Sequence, residues 1–139
     1  MASVSMKTEI AAPADAVWDA IRDFNGLPKF VAAIATSTME GTGVGAVRTL
    51  TFGDGGQVVE RLESLDEPAR TLSYSIVESP LPLTDYLSTM AVRDLGGGRC
   101  ELAWSSTFEP AGAPEAEVRQ IVEGVYTGGF EGLKALLAG

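Results

Sequence analysis

From Thr36 to Phe108 the chain runs as six short segments rich in β-branched and aromatic residues, each closed by a turn signal, and one long helical segment follows. Strands linked this way can only pair antiparallel, because a parallel pair needs a crossover of a dozen or more residues. The segments are Thr36–Glu40, Val47–Phe52, Gln57–Leu65, Thr71–Glu78, Tyr86–Leu95 and Arg99–Phe108. Between them lie Gly41-Thr42-Gly43, Gly53-Asp54-Gly55-Gly56, Asp66-Glu67-Pro68, Ser79-Pro80-Leu81-Pro82 and Gly96-Gly97-Gly98. The two prolines of the fourth break remove ladder donors and bar it from a central strand.

Ahead of this run, Ser3–Ile10 alternates polar and apolar residues and reads as a further strand. Pro13 and Asp15 then open a helix with Val17, Trp18, Ile21 and Phe24 on one stripe. Asn25-Gly26 breaks it, and Pro28 is expected to begin a second short helix carrying Phe30, Val31 and Ile34. After the strands, Pro114 starts a helix running to about Ala138, with Glu115 and Glu117 in its first turn and Lys134 near its last. Its apolar stripe is Val118, Ile121, Val122, Val125, Gly129, Leu133 and Leu137. Glycines at 124, 128, 129 and 132 lower its intrinsic propensity, so packing must hold it, and they let a neighbouring group come close. The order predicts an α+β fold: a seven-stranded antiparallel sheet with one long helix covering one face. With 139 residues and neither linker nor repeat, one domain over 1–139 is expected.

Composition narrows the chemistry. The chain has no histidine and one cysteine, Cys100. Intrachain disulfides, zinc sites of the Cys/His kind and Ser-His-Asp or Cys-His catalysis are therefore ruled out. Acid–base work would fall to carboxylates, tyrosines, lysines, arginines or water. A net charge of −9 opposes nucleic-acid and anionic-membrane partners. One of the longest apolar runs, Phe30 to Ala35, is far shorter than the ~20 residues a membrane helix needs. The N-terminus shows no signal peptide, and a cytoplasmic location is expected. Gly41-Thr42-Gly43-Val44-Gly45-Ala46 lacks the following helix of a nucleotide-binding unit, and no metal, nucleotide or other cofactor is implied.

Two clusters could carry function. If Leu50 and Phe52 face inward, the period of two turns Arg48 inward too; Val58 and Leu62 inward bring Glu60 with them. Arg48 and Glu60 then either clamp a ligand's polar end or satisfy each other as a buried ion pair, and one bulge would flip either outward. Leu72, Tyr74 and Ile76 share one strand face, and Tyr86, Ser88 and Met90 another. Tyrosines pair apolar area with one hydroxyl, suiting a greasy ligand with a polar handle, although they serve equally as plain core. Trp104 and Phe108, in step with Leu102, read as core beneath the long helix.

The layout resembles the START-like, helix-grip superfamily, also called SRPBCC or polyketide cyclase/dehydrase-like, and is similar to its small bacterial members. The phrases that carry the resemblance are Ala11-Ala12-Pro13-Ala14-Asp15-Ala16-Val17-Trp18, Gly45-Ala46-Val47-Arg48-Thr49-Leu50 and Glu60-Arg61-Leu62-Glu63. Others are Ser73-Tyr74-Ser75-Ile76, Pro80-Leu81-Pro82-Leu83-Thr84-Asp85-Tyr86 and Trp104-Ser105-Ser106-Thr107-Phe108-Glu109-Pro110. The resemblance implies a curved sheet gripping the long helix, with two short helices closing one end around a cavity. Through it Glu60, Tyr74, Ile76, Tyr86 and Ser88 match ligand-contacting positions, and the loops Gly53–Gly56 and Ser79–Leu83 match two that close over ligand in plant abscisic-acid receptors. Where bacterial relatives often read Leu-Pro-Lys-Trp-His-Pro, this chain reads Leu27-Pro28-Lys29-Phe30-Val31-Ala32, so Val31 replaces a cavity histidine.

The expected function is binding of a small hydrophobic or aromatic molecule. The expected wall comprises Phe30, Val31, Leu50, Phe52, Tyr74, Ile76, Leu83, Tyr86, Ser88, Trp104, Val122 and Tyr126, with Arg48 and Glu60 at the polar end. The alternative is a cofactor-independent cyclase or dehydratase using Glu60 as acid or base and Tyr74 or Tyr86 as donor. A third possibility is a module that docks a protein partner through its acidic surface or loop mouth.

Overall fold

The computed structural model describes residues 1–138. Its elements follow in the order β1 (Ala2–Ile10), α1 (Ala14–Arg22), a single 3₁₀ turn (Leu27–Lys29), β2 (Ile34–Glu40), β3 (Val47–Phe52), β4 (Gln57–Asp66), β5 (Thr71–Glu78), β6 (Leu83–Gly96), β7 (Arg99–Pro110) and α2 (Glu115–Leu137). The seven strands form one antiparallel sheet in the order β1-β7-β6-β5-β4-β3-β2. Each strand from β2 to β7 pairs with its neighbour in sequence, as hairpin connections dictate. The segment holding α1 and the 3₁₀ turn carries the chain from one edge of the sheet to the other, where β2 begins.

The inward residues of the strands, the apolar face of α1 and one face of α2 share a single core. In α2 that face is Val118, Val122, Tyr126, Gly129, Phe130 and Leu133. It is rotated from the expected stripe: Tyr126 and Phe130 go into the core, whereas Val125 is exposed and Ile121 half-buried. The aromatic rings explain this, since they bury more area per residue than the aliphatic side chains they displace. On α1, Val17, Trp18 and Ile21 are buried. Trp18 Nε1 donates to Glu67 Oε1 at 3.0 Å, and Arg22 binds the same carboxylate, which ties the helix to the β4–β5 turn.

The second short helix expected at Pro28 forms, but it is shorter than expected and does not carry Phe30, Val31 and Ile34. Only Leu27–Lys29 adopt a 3₁₀ turn, closed by Phe30 N–H on the Leu27 carbonyl at 3.1 Å. Ile34 has already left it to pair with Phe52 at the start of β2. Sheet pairing of a β-branched residue outweighs what one further helical turn would supply. At the other predicted boundary, β6 starts at Leu83 rather than Tyr86, because a bulge lies between Thr84 and Leu87. Two residues there, Asp85 and Tyr86, oppose Phe108 alone, and Asp85 sits at φ +53°. The extra residue puts both Leu83 and Tyr86 on the buried face, which strict alternation forbids. The β3–β4 turn is the expected tight hairpin: Gly55 takes φ +91°, Phe52 N–H bonds the Gly56 carbonyl at 2.8 Å, and Asp54 Oδ1 accepts from Gly56 N–H.

Candidate ligand cavity

Between the sheet, the Val31–Ile34 segment and α2 lies a cavity of ≈170 Å³. An apolar cavity of about 150 Å³ holds benzene, so this one suits a molecule of one or two rings. The sheet contributes Leu50 and Phe52 from β3, Val58 and Glu60 from β4, Tyr74 and Ile76 from β5, Tyr86 from β6 and Trp104 from β7. The helix contributes Gly124, Val125 and Gly128; Leu27 and the run Val31 to Ile34 complete the wall.

Arg48 and Glu60 lie directly opposite each other on β3 and β4, with no bulge between those strands, and both are buried. They bind each other. Arg48 Nε and Nη2 both donate to Glu60 Oε1, at 2.9 and 2.6 Å, and Nη1 donates to the Phe24 carbonyl at 2.7 Å. The guanidinium also lies over the Phe24 ring at 3.9 Å and beside the Tyr74 ring at 5.0 Å. Burial pushes the Glu60 carboxyl above its ordinary value, and the Arg48 charge and hydrogen bonds pull it back. Of the two open readings, the self-satisfied ion pair describes Arg48, which stands behind Glu60 and off the cavity wall.

A hydroxyl cluster closes the far side. Trp104 Nε1 donates both to Tyr74 Oη at 3.1 Å and to Ser88 Oγ at 3.0 Å. Ser88 Oγ reaches the Ser105 carbonyl at 3.0 Å and Tyr126 Oη at 3.0 Å, and Tyr126 Oη meets Tyr86 Oη at 2.5 Å. The Trp104 ring stacks on Tyr126 with centroids 4.3 Å apart and planes 17° apart. Tyr126 and Ser88 are therefore bonded into the core, with Tyr126 stacked on Trp104, which itself forms part of the wall. Phe30 and Val122 are core residues, and Leu83 is buried at the start of β6, likewise off the cavity. The Gly53–Gly56 turn and residues 79–82 contribute nothing to the wall either.

The contributors the sequence reading passed over are Leu27, Ala32, Ala33, Ile34, Val58, Gly124, Val125 and Gly128. Most are small. Gly124 and Gly128 sit one helical repeat apart and face open space, since a Cβ at either would meet nothing within 4 Å. That spacing on the long helix was the available signal.

All three tyrosines of the chain, Tyr74, Tyr86 and Tyr126, are buried, and burial pushes each hydroxyl above its ordinary value. The unfolded chain ionises them near pH 10, while the folded chain holds their protons to higher pH. Stability from this source is complete below about pH 10 and falls as pH rises beyond it. Alkaline titration followed at 295 nm should show no tyrosinate until the far-ultraviolet dichroism is lost. A tyrosinate step in the folded protein near pH 10 would contradict the buried cluster.

Over residues 1–138 the chain matches the family described as polyketide cyclase / dehydrase and lipid transport. The chain belongs to this family. Its polyketide cyclase/dehydrase-like fold is shared with XoxI from Bacillus cereus, at 33% identity and TM-score 0.92, covering 99% of this chain and 96% of that one. MLP-like protein 423 from Arabidopsis thaliana is 29% identical over 115 residues, 75% of this chain and 74% of that protein. The Zhui aromatase/cyclase from Streptomyces sp. R1128 shares the fold alone, at 20% identity and TM-score 0.78, covering 98% and 90%. The seven-stranded sheet around the long helix is thus the helix-grip arrangement of this START-like group. No described helix of this polyketide cyclase/dehydrase-like chain is long and apolar enough to cross a membrane.

Proposed function

We propose that this protein binds a small hydrophobic or aromatic molecule in the cavity between sheet and helix. The observation that carries the reading is a cavity of ≈170 Å³ lined by aromatic, aliphatic and glycine residues around a single buried carboxylate. Membership of a family whose description spans cyclases, dehydrases and lipid transport agrees with it. Such a wall removes apolar ligand surface from water, at about 25 cal/mol per Å².

A cyclase or dehydratase reading draws on one specific observation: burial raises the Glu60 carboxyl, the direction a general acid needs near neutrality. Tyr74 would then donate to a substrate carbonyl. Full turnover of a polyketide-type substrate by Glu60→Gln would exclude that mechanism while leaving binding untouched.

The binding reading is tested by filling the cavity from the helix. Gly128→Leu places a side chain where a Cβ meets nothing within 4 Å. Leucine exceeds glycine in helix propensity by roughly 0.5–1 kcal/mol. The variant is expected to melt no lower than the parent and to lose at least about tenfold in affinity for propylbenzene, measured by calorimetry. A folded Gly128→Leu protein with unchanged propylbenzene affinity would move the binding site elsewhere.

A further inference from the structure

The polar groups of the cavity can be followed donor by donor. Arg48 has its Nε, Nη1 and Nη2 engaged by Glu60 Oε1 and the Phe24 carbonyl, and it does not reach the wall. No arginine or lysine is among the cavity-lining residues, so Glu60 is the one charged residue there. Both guanidinium contacts fall on the same carboxylate oxygen. Glu60 Oε2 accepts no hydrogen bond from the described residues.

The hydroxyls sort themselves equally firmly. A carbonyl can only accept, so Ser88 spends its proton on Ser105 and receives from Trp104 Nε1 and Tyr126. Tyr126 then spends its proton on Ser88 and receives from Tyr86. Tyr74 Oη receives from Trp104 Nε1; Ser88 Oγ beside it has already given its proton to Ser105 and filled both lone pairs, so the Tyr74 proton is left unspent. Among the wall's side chains this leaves one unspent acceptor, on the Glu60 carboxylate, and one unspent donor, on Tyr74.

We propose that the cavity takes a molecule of one or two rings bearing a hydroxyl or amine that donates to Glu60 Oε2, and that it turns organic carboxylates away. This deepens, and rests on, the reading of the cavity as a binding site. A ligand hydroxyl makes a charge-assisted hydrogen bond to Glu60 and accepts from Tyr74. A ligand carboxylate meets a like charge with no free cation to offset it, and a desolvated anion left unpaired is strongly disfavoured.

The test uses three probes with one ring and one tail, titrated calorimetrically into the intact protein at pH 7: para-propylphenol, propylbenzene and para-propylbenzoate. Phenol is expected to bind tighter than propylbenzene, and to exceed benzoate by at least about tenfold. Benzoate equal to or tighter than phenol, or phenol no tighter than propylbenzene, would overturn the inference and leave cavity binding standing. Failure of all three to bind would overturn both. In Glu60→Gln the Arg48 charge is uncompensated, so the benzoate deficit should close or reverse; an unchanged deficit in that variant would also overturn the proposal. Where the variant does not fold, the order of the three probes on the parent protein decides.

Discussion

Gly132→Ala is expected to destabilise the protein by roughly 4 kcal/mol or more, although alanine is the best helix former and glycine among the worst. A Cβ built on Gly132 falls 1.7 Å from the Phe30 carbonyl oxygen and 2.6 Å from its carbon. Both are backbone atoms, so no rotamer change relieves the overlap. Either Phe30 leaves the helix or the helix leaves the sheet. Phe30 immediately precedes the Val31–Ile34 wall, so lifting it should also open the cavity and weaken propylbenzene binding. At Gly129 a Cβ meets Trp104 Cζ3 at 2.5 Å and Val31 Cγ2 at 3.6 Å, and a smaller loss is expected there, since a side chain can shift. Gly124→Ala and Gly128→Ala meet nothing within 4 Å and should each gain up to about 1 kcal/mol. Urea unfolding of the four single variants gives the comparison, read as midpoint shifts at constant m-value. A Gly132→Ala protein within 1 kcal/mol of its parent would mean that Phe30 does not pack on this helix.

That pattern also marks how far the sequence could be read. Four glycines in one helix announced a close approach, but nothing local distinguished Gly132, against a backbone carbonyl, from Gly128, against open space. The strands were legible because each hairpin carries its own turn chemistry, as at Asp54-Gly55. Arg48 and Glu60 were legible because β3 and β4 pair without a bulge, so parity held across the hairpin. Parity says which face a residue occupies and nothing about depth. Ser88 and Tyr126 point inward as read, yet bond to one another under Trp104 and stop short of the cavity. The second short helix stops at Lys29 because Ile34 is drawn into pairing with Phe52, a partner distant in sequence. Small wall residues such as Ala32 and Ala33 escaped notice because a cavity is made by what is missing, and pattern reading looks for bulk.

The buried ion pair yields the second large effect, and its sign depends on whether one partner is removed or both. Arg48→Met should cost about 3–5 kcal/mol, because it strands a carboxylate that is 6% exposed and leaves the Phe24 carbonyl without its donor. The double variant Arg48→Met/Glu60→Leu should lie close to the parent, or above it, since apolar replacements of similar volume remove both desolvation penalties. Proton linkage separates the single variant further. Without Arg48, the downward pull on Glu60 is gone and desolvation alone acts, so its folded pKa rises further above the unfolded value near 4.3. For a group raised in this way, stability is complete below about pH 4 and is lost as pH climbs towards the folded value. Arg48→Met should therefore unfold at higher urea at pH 4 than at pH 8, relative to the double variant measured at the same pH. If the double variant is as damaged as the single, the pair is a structural requirement of the sheet. If it is as stable as its parent yet no longer prefers para-propylphenol over propylbenzene, the carboxylate is there for what enters the cavity, and Arg48 is there to keep it charged.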